Sequence, residues 1–223
     1  MDKVIFWDFD GTLVHPNERF VEAFKEALNK NGYVAPIERI REFLKTVYPW
    51  LNYDKSYENN TDKWWENFLD KLNEFYYEFK VKEDDREKIN SEYKYKITKC
   101  NDYVLYDDTE YVLKKCLELG YKNFLLSNNY PELPDMLEDF GIKKYFTELF
   151  VSANVGYEKP RAELFSYAKT YAKCTSGIMV GDNPVADIDG AKATGLKAIL
   201  VHKDRPSNAD YTFKTLKEIL DIL

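Results

Sequence analysis

The residues able to do chemistry gather behind short apolar runs. Asp8 and Asp10 lie in VIFWDFDGTLVHP, Ser127 with Asn128 and Asn129 follows NFLL, Lys159 stands in YEKP, and Asp182 and Asp187 belong to GDNPVADIDGA. Asp8, Asp10 and Asp182, if drawn together, would repel, and some would take up protons unless a cation joined them. A hard divalent ion with oxygen ligands answers that need; Mg2+ keeps several waters and takes substrate phosphate oxygens for the rest of its octahedron. Lys159 adds a second fixed positive charge, and Ser127 with Asn128 adds hydrogen-bond donors. The set suits an anionic phosphoryl group. Singly, each residue has an ordinary explanation: an Asp after a strand caps a helix, Ser-Asn makes a turn, and most lysines are solvated. Those explanations leave out the convergence of separated segments on one edge.

That edge follows from the elements that carry the residues. Near-continuous apolar runs at Val4 to Phe9, Asn123 to Ser127, Leu149 to Ala153, Ile178 to Gly181 and Leu196 to Val201 alternate with amphipathic helices, beginning with one near Thr109 to Leu119 that closes on Gly120. Such runs read as a parallel sheet covered on both faces. In open parallel sheets a ligand sits outside the carboxyl ends of the strands, which is where the polar residues fall. Between the first run and the second the texture differs. Phe20, Val21, Phe24, Ala27 and Leu28 predict a helix from Pro16 to about Asn31, and Ile37, Ile40, Leu44 and Val47 a second, beginning at Pro36. PWLNYDKSYENN reads as a loop. Trp64, Trp65, Phe68, Leu69, Leu72, Phe75, Tyr76 and Phe79 then mark a third helix with a wide apolar stripe, and Ile89, Tyr93 and Ile97 a weaker fourth. The expected architecture is α/β: a Rossmann-like parallel-sheet core with helices on both faces, residues 1–14 and 101–223, interrupted after its first strand by an all-helical segment, 15–100.

Composition bounds the partners. The chain has 223 residues, 44% of them hydrophobic, and a formal net charge of -7. A nucleic-acid binder normally gathers a positive footprint, so a polynucleotide partner is not expected. Cys100, Cys116 and Cys174 are odd in number and lack CxxC spacing, which suggests neither a disulfide framework nor a zinc site. The apolar run behind MDK meets Asp8 too soon for a signal peptide or membrane span. The expectation is a soluble, cytoplasmic protein without a membrane partner.

With these motifs the chain resembles the haloacid dehalogenase superfamily, in its phosphatase-like branch. DFDGT at 8–12 matches the first motif of that family, LLSN at 125–128 the second, GYEKP at 156–160 the third and GDNPVADIDGA at 181–191 the fourth. The helical segment stands where the family inserts a cap. The resemblance implies an Mg2+-dependent phosphomonoester hydrolase acting on a small phosphorylated metabolite. By it, Asp8 is the nucleophile that forms an aspartyl-phosphate, and Asp10 protonates the leaving oxygen and then deprotonates water. Gly11 permits the tight turn and Thr12 helps to hold it. Asp8 and Asp182 bind Mg2+ through carboxylates and Asp10 through its main-chain carbonyl, while Asp187 orients metal waters or Lys159. Ser127, Asn128 and Lys159 hold the transferring oxygens.

Other activities stay open within that resemblance. A phosphomutase uses the same motifs and differs in the acceptor. A 2-haloacid dehalogenase would have little use for Asp10, and a non-catalytic binding protein would not be expected to keep Asp8. His15 departs from the acidic residue that many relatives carry shortly after DGT and is assigned a structural role. In the helical segment, Trp50, Trp64 and Trp65 read as packing rather than a ligand platform, and Arg39, Arg41 and Lys45 as a solvated face.

Overall fold

A computed structural model describes residues 2–51 and 63–223. The chain divides into two units, Met1–Pro16 with Tyr103–Leu223, and Asn17–Asp102. In chain order the elements are β1 (Val4–Trp7), helices α1 (Arg19–Lys30), α2 (Ile37–Val47), α3 (Trp64–Lys71), α4 (Asn73–Glu78), α5 (Glu83–Ile97) and α6 (Thr109–Glu118), then β2 (Lys122–Ser127), α7 (Leu133–Asp139), β3 (Glu148–Val151), α8 (Ser152–Val155), α9 (Ala162–Ala172), β4 (Ile178–Gly181), α10 (Gly190–Ala193), β5 (Lys197–Val201) and β6 (Tyr211–Phe213).

The first unit is built on a six-stranded sheet in the order β3-β2-β1-β4-β5-β6, every neighbouring pair parallel. All four residues of β1 are buried, because both sheet faces are covered and each strand must be apolar on both sides. The period of two sorts the side chains. Val4 and Phe6 join Phe124, Leu126, Phe150, Met179, Ala198 and Leu200 in one cluster closed by Leu164, Phe165 and Ile188. Trp7 points the other way and is fully buried, its indole N–H donating to Asn123 Oδ1 at 3.0 Å. The order runs outward from β1 through β2 to β3 on one side and from β4 through β5 to β6 on the other. The change of direction between β1 and β4 is the switch point at which such sheets open a crevice at their carboxyl edge.

The apolar runs expected as strands form β1 to β5. β6 was not anticipated: it has three residues, lies at the sheet edge and is largely exposed, so it carries no apolar run.

The second unit is helical among its described residues. α1 buries Val21, Ala23, Phe24, Ala27 and Leu28, and α5 buries Ile89, Tyr93 and Ile97 along one face. Pro36 stands just before α2, as its N-cap, rather than inside it. The helix expected from Trp64 to Phe79 is two, α3 and α4, broken at Leu72. Asn73 explains the break locally: its side-chain amide donates to Asp70 O at 3.0 Å, and Arg86 in turn holds its Oδ1 at 3.1 Å. An Asn that bonds the main chain three residues back competes with the helical ladder. Trp64 and Phe68 are buried, Trp50 stacks on Trp64, and Trp65 meets Trp64 edge-on with centroids 4.8 Å apart. Arg39 and Arg41 pair with Glu78 and Glu18. In the segment read as a loop, Pro49–Leu51 form a short 3-10 turn, and its remainder from position 52 onward lies outside the described residues. None of the three cysteines is in a disulfide. Among the described residues no helix is long and apolar enough to cross a membrane.

Candidate active site

The first-motif loop is folded by its own main chain. After β1, Asp8 N–H still donates to Val180 O of β4 at 3.0 Å, and the N–H groups of Thr12, Leu13 and Val14 all turn back to Phe9 O. Gly11 sits at φ +75°, and a Cβ there would lie 2.4 Å from Asp182 Oδ2, so both the backbone angle and the approach of Asp182 exclude a side chain. Across the switch point, a Cβ on Gly181 would meet the Asp187 carboxyl at 2.2 Å. These glycines let β1, β4 and the turn after β4 bring their acids together.

Asp8 is the hub. Its Oδ1 accepts Ser127 Oγ at 2.9 Å and Lys159 Nζ at 2.7 Å, and Thr12 Oγ1 stands 3.4 Å from its Oδ2. Lys159 Nζ also donates to Asp187 Oδ1 at 2.5 Å, and Asp187 Oδ2 accepts Asn183 N–H at 3.0 Å. Both oxygens of Asp187 are therefore committed to protein donors. Lys159 is only 2% exposed. Burial works against its ammonium, but the carboxylates of Asp187 and Asp8 outweigh that and hold its pKa above the usual lysine range. For Asp187, burial pushes the pKa up and the direct contact with Lys159 pulls it back.

Asn128 does not reach Asp8. Its Nδ2 donates to Lys159 O at 2.9 Å and its Oδ1 accepts Lys159 N–H at 2.8 Å, a reciprocal pair that fixes the main chain on which the buried lysine stands. That pair uses one of the two Nδ2 hydrogens, so the other and the main-chain N–H are the donors Asn128 can offer an anion.

Asp10 faces elsewhere. Its Oδ2 accepts Asn129 Nδ2 at 2.6 Å. Its pKa is raised to about 7 by the protein packed around it, then by the charges of Asp8 and Asp182. The residue itself reaches solvent. Asp182 is raised to about 6 by burial and by Asp8, against the pull of Lys203.

Oxygens of Asp8, Asp182 and Asp187 lie within 4.8 Å of one another. The carboxylates of Asp8 and Asp182, each just beyond a strand end, offer all-oxygen donors to a hard divalent cation, the Asp182 pKa being raised by burial and by Asp8, while both Asp187 oxygens are taken by Lys159 and Asn183. Asp8 and Asp182 fit Mg2+.

Two residues near this cluster were not singled out from sequence. Asn129 was seen only as part of a polar turn, and no spacing rule pairs it with Asp10. Lys203, two residues beyond β5, places Nζ 3.4 Å from Asp182 Oδ2; a lone lysine after an edge-side strand carries no motif. His15 packs on Tyr106 with centroids 3.8 Å apart, and His202 covers the other face of the same ring at 3.7 Å. The His202 ring nitrogens lie 3.1 Å from the carbonyls of Thr12 and Lys214, so this stack braces the first-motif loop.

With this geometry in view, known proteins bear on the chain in three ways. Residues 129 in length of it align at 31% identity with a phosphoserine phosphatase of Thermus thermophilus, covering 52% of this chain and 50% of that protein; the chain thus matches half the length of that relative. A 2-haloacid dehalogenase of Pseudomonas syringae superposes with a TM-score of 0.74 at 19% identity, over 100% of this chain and 98% of that one. The HAD hydrolase YfnB of Bacillus subtilis, solved bound to magnesium, gives 0.71 at 19% over the same shares. At such identities the structures speak to fold alone, and one fold here accompanies differently named proteins. The family model of haloacid dehalogenase-like hydrolases matches residues 3–195, which takes in Asp8, Ser127, Lys159 and Asp182, and to that family this chain belongs.

Proposed function

We propose that this chain is an Mg2+-dependent phosphatase of small phosphorylated metabolites, working through an aspartyl-phosphate on Asp8. The observation that carries the reading is the division of labour between two neighbouring carboxyls. Asp8 is bound by Lys159 and Ser127, donors that suit phosphoryl oxygens, whereas Asp10 is held apart by Asn129 with a pKa raised to about 7. A nucleophile beside fixed cations and a separate acid poised near neutrality are what ester cleavage at phosphorus requires. An enzyme that displaces halide from carbon needs no such acid, so Asp10 favours the phosphatase reading. The related phosphoserine phosphatase supports the substrate class without selecting a member of it.

In this mechanism an Asp8 oxygen attacks phosphorus in line, the P–O ester bond breaks with its electron pair on the leaving oxygen, and Asp10 gives that oxygen a proton. Water then attacks the phosphorus and gives a proton to Asp10 as the P–O bond to Asp8 breaks, restoring both carboxyls. Lys159 and Ser127 turn from Asp8 to the transferring oxygens, where their fixed positions stabilise developing charge. Asn128 positions Lys159. Asp8 and Asp182, with the Asp10 main-chain carbonyl, would hold the cation, which would supply charge neutralisation for the phosphoryl group. Asp187 anchors Lys159, and Thr12 steadies Asp8. To the helical unit 17–102, inserted in the chain between β1 and β2, we assign the choice of substrate.

The test is phosphate release from a panel of sugar phosphates, nucleotides and phosphorylated hydroxy acids, with Mg2+ and with chelator, beside Asp8→Asn. Release that needs the metal and vanishes in the variant supports the reading. Conversion of a sugar phosphate to its isomer without free phosphate would replace it with a mutase.

A further inference from the structure

Asp10 is held by a single side-chain partner among the described residues, and that partner is not free to rotate. Asn129 is 3% exposed, directly after the Ser127–Asn128 pair. Its Oδ1 accepts Tyr130 N–H at 2.8 Å, and its own N–H donates to Ser152 Oγ at 3.1 Å. The first of these bonds fixes which end of the amide is which, because only the oxygen can accept from Tyr130. The NH2 end is thereby the one turned to Asp10 Oδ2, at 2.6 Å.

This has a chemical consequence for the acid. In a carboxylic acid the carbonyl-type oxygen is the better acceptor and the other oxygen carries the proton. An amide N–H held on Oδ2 assigns the proton of Asp10 to Oδ1 and fixes the plane of the carboxyl. We propose that Asn129 is a positioning residue for Asp10, presenting Oδ1 as the proton-bearing oxygen to the leaving group of the ester and to the attacking water in the return step. The proposal rests on the phosphatase reading above. In the forward step the proton on Oδ1 moves to the ester oxygen as the P–O bond breaks, and the electron pair of that bond stays on the oxygen. In the return step a water proton moves to Oδ1 as the bond from phosphorus to Asp8 is cleaved.

A group that aims the acid matters in proportion to the basicity of the leaving oxygen, which a merely structural residue does not. The experiment compares wild type, Asn129→Leu and Asn129→Asp with Mg2+ on p-nitrophenyl phosphate, whose leaving group needs no proton, and on the alkyl phosphomonoester that wild type turns over fastest. Asn129→Leu removes the donor; Asn129→Asp keeps the shape and the acceptor for Tyr130 N–H but presents an oxygen to Asp10, which guards against a variant that fails to fold. Complete general acid catalysis is worth about 10² to 10⁴ in rate, and misaiming should forfeit part of it. Both variants should lose about 30-fold in kcat/KM on the alkyl ester, a quantity that reports only the steps through release of the leaving group, and less than about threefold on the aryl ester, while slowing of the shared return step appears equally in kcat for both. Equal losses in kcat/KM on the two esters, or no loss on either, would overturn the positioning role while leaving the phosphatase reading intact. No phosphate from either ester with wild type would overturn that reading and the proposal with it.

Discussion

The two units bury polar groups for opposite ends. At the carboxyl edge of the sheet, Asp8, Ser127, Lys159 and Asp187 are buried, and Asp8 lies close enough to disfavour the charge of Asp182. In the helical unit, beside the buried Arg19 and Thr98, tyrosine hydroxyls are set in an aromatic interior: Tyr48 and Tyr93 share a hydrogen bond of 2.6 Å, and Tyr76 donates to Asn90 Oδ1 at 2.5 Å. Around them Phe68 lies 4.8 Å from Tyr48 and 5.3 Å from Trp64, centroid to centroid. The first arrangement holds charge that folding alone would not choose, and in the second the aromatic interior is polar where a ring needs its hydroxyl satisfied. Removing a polar residue from the edge should therefore cost function more than stability, and removing an apolar one from the helical unit should do the reverse.

The largest expected effect breaks function alone. Asp8→Asn keeps an acceptor for Lys159 and Ser127 but no nucleophile, so turnover should fall by ~10⁴-fold or more while thermal stability holds or rises. A fall in melting temperature as large as that of a core variant would show that the edge supports the fold. Next, Phe68→Ala in α3, a residue 1% exposed, should cost about 3–5 kcal/mol in chemical unfolding. A loss below about 1 kcal/mol would mean the aromatic cluster is not a close-packed core.

Smaller effects sharpen the contrast through pH and single hydrogen bonds. The Asp182 pKa is raised from 3.8 to about 6, so its neutral form is favoured on folding; its contribution is fully present below about pH 4 and is lost as pH rises toward 6. Metal-free wild type should accordingly lose stability relative to Asp182→Asn between those values. Each kcal/mol appears as about 2–4 °C in melting temperature, and excess Mg2+ should close the gap at neutral pH. A difference independent of pH and metal would remove Asp182 from the strained set. The smallest effect belongs to Tyr76→Phe, which should cost about 1 kcal/mol, the net worth of an ordinary buried hydrogen bond, with no change in the pH dependence of unfolding.

Legibility followed burial and local chain order. β1 through β5 could be read because strands covered on both faces are apolar without interruption, as VIFW and LFV show. β6, an exposed edge of three residues, left no such trace. The stripe from Trp64 to Phe79 suggested one helix because periodicity reports a buried face and is silent about Asn73 bonding backward to Asp70. In the site, Asp8, Ser127, Lys159 and Asp182 were accessible because each directly follows an apolar run or sits in a motif. Lys203 was not, since its role depends on how far β5 carries it toward Asp182.

The linear order of residues by itself determined that this chain makes a parallel α/β sheet and delivers acids, a hydroxyl and a lysine to its carboxyl edge, because strand period and strand ends are local properties. Only the tertiary structure decided how those groups divide the work. Asn128 is spent on the main chain of Lys159, Asp187 on Lys159 and Asn183, and Asn129 on Asp10. Such pairings join residues up to 119 positions apart. Hydrogen bonds reach only about 3 Å, so which donor meets which acceptor is set by strand register and loop path.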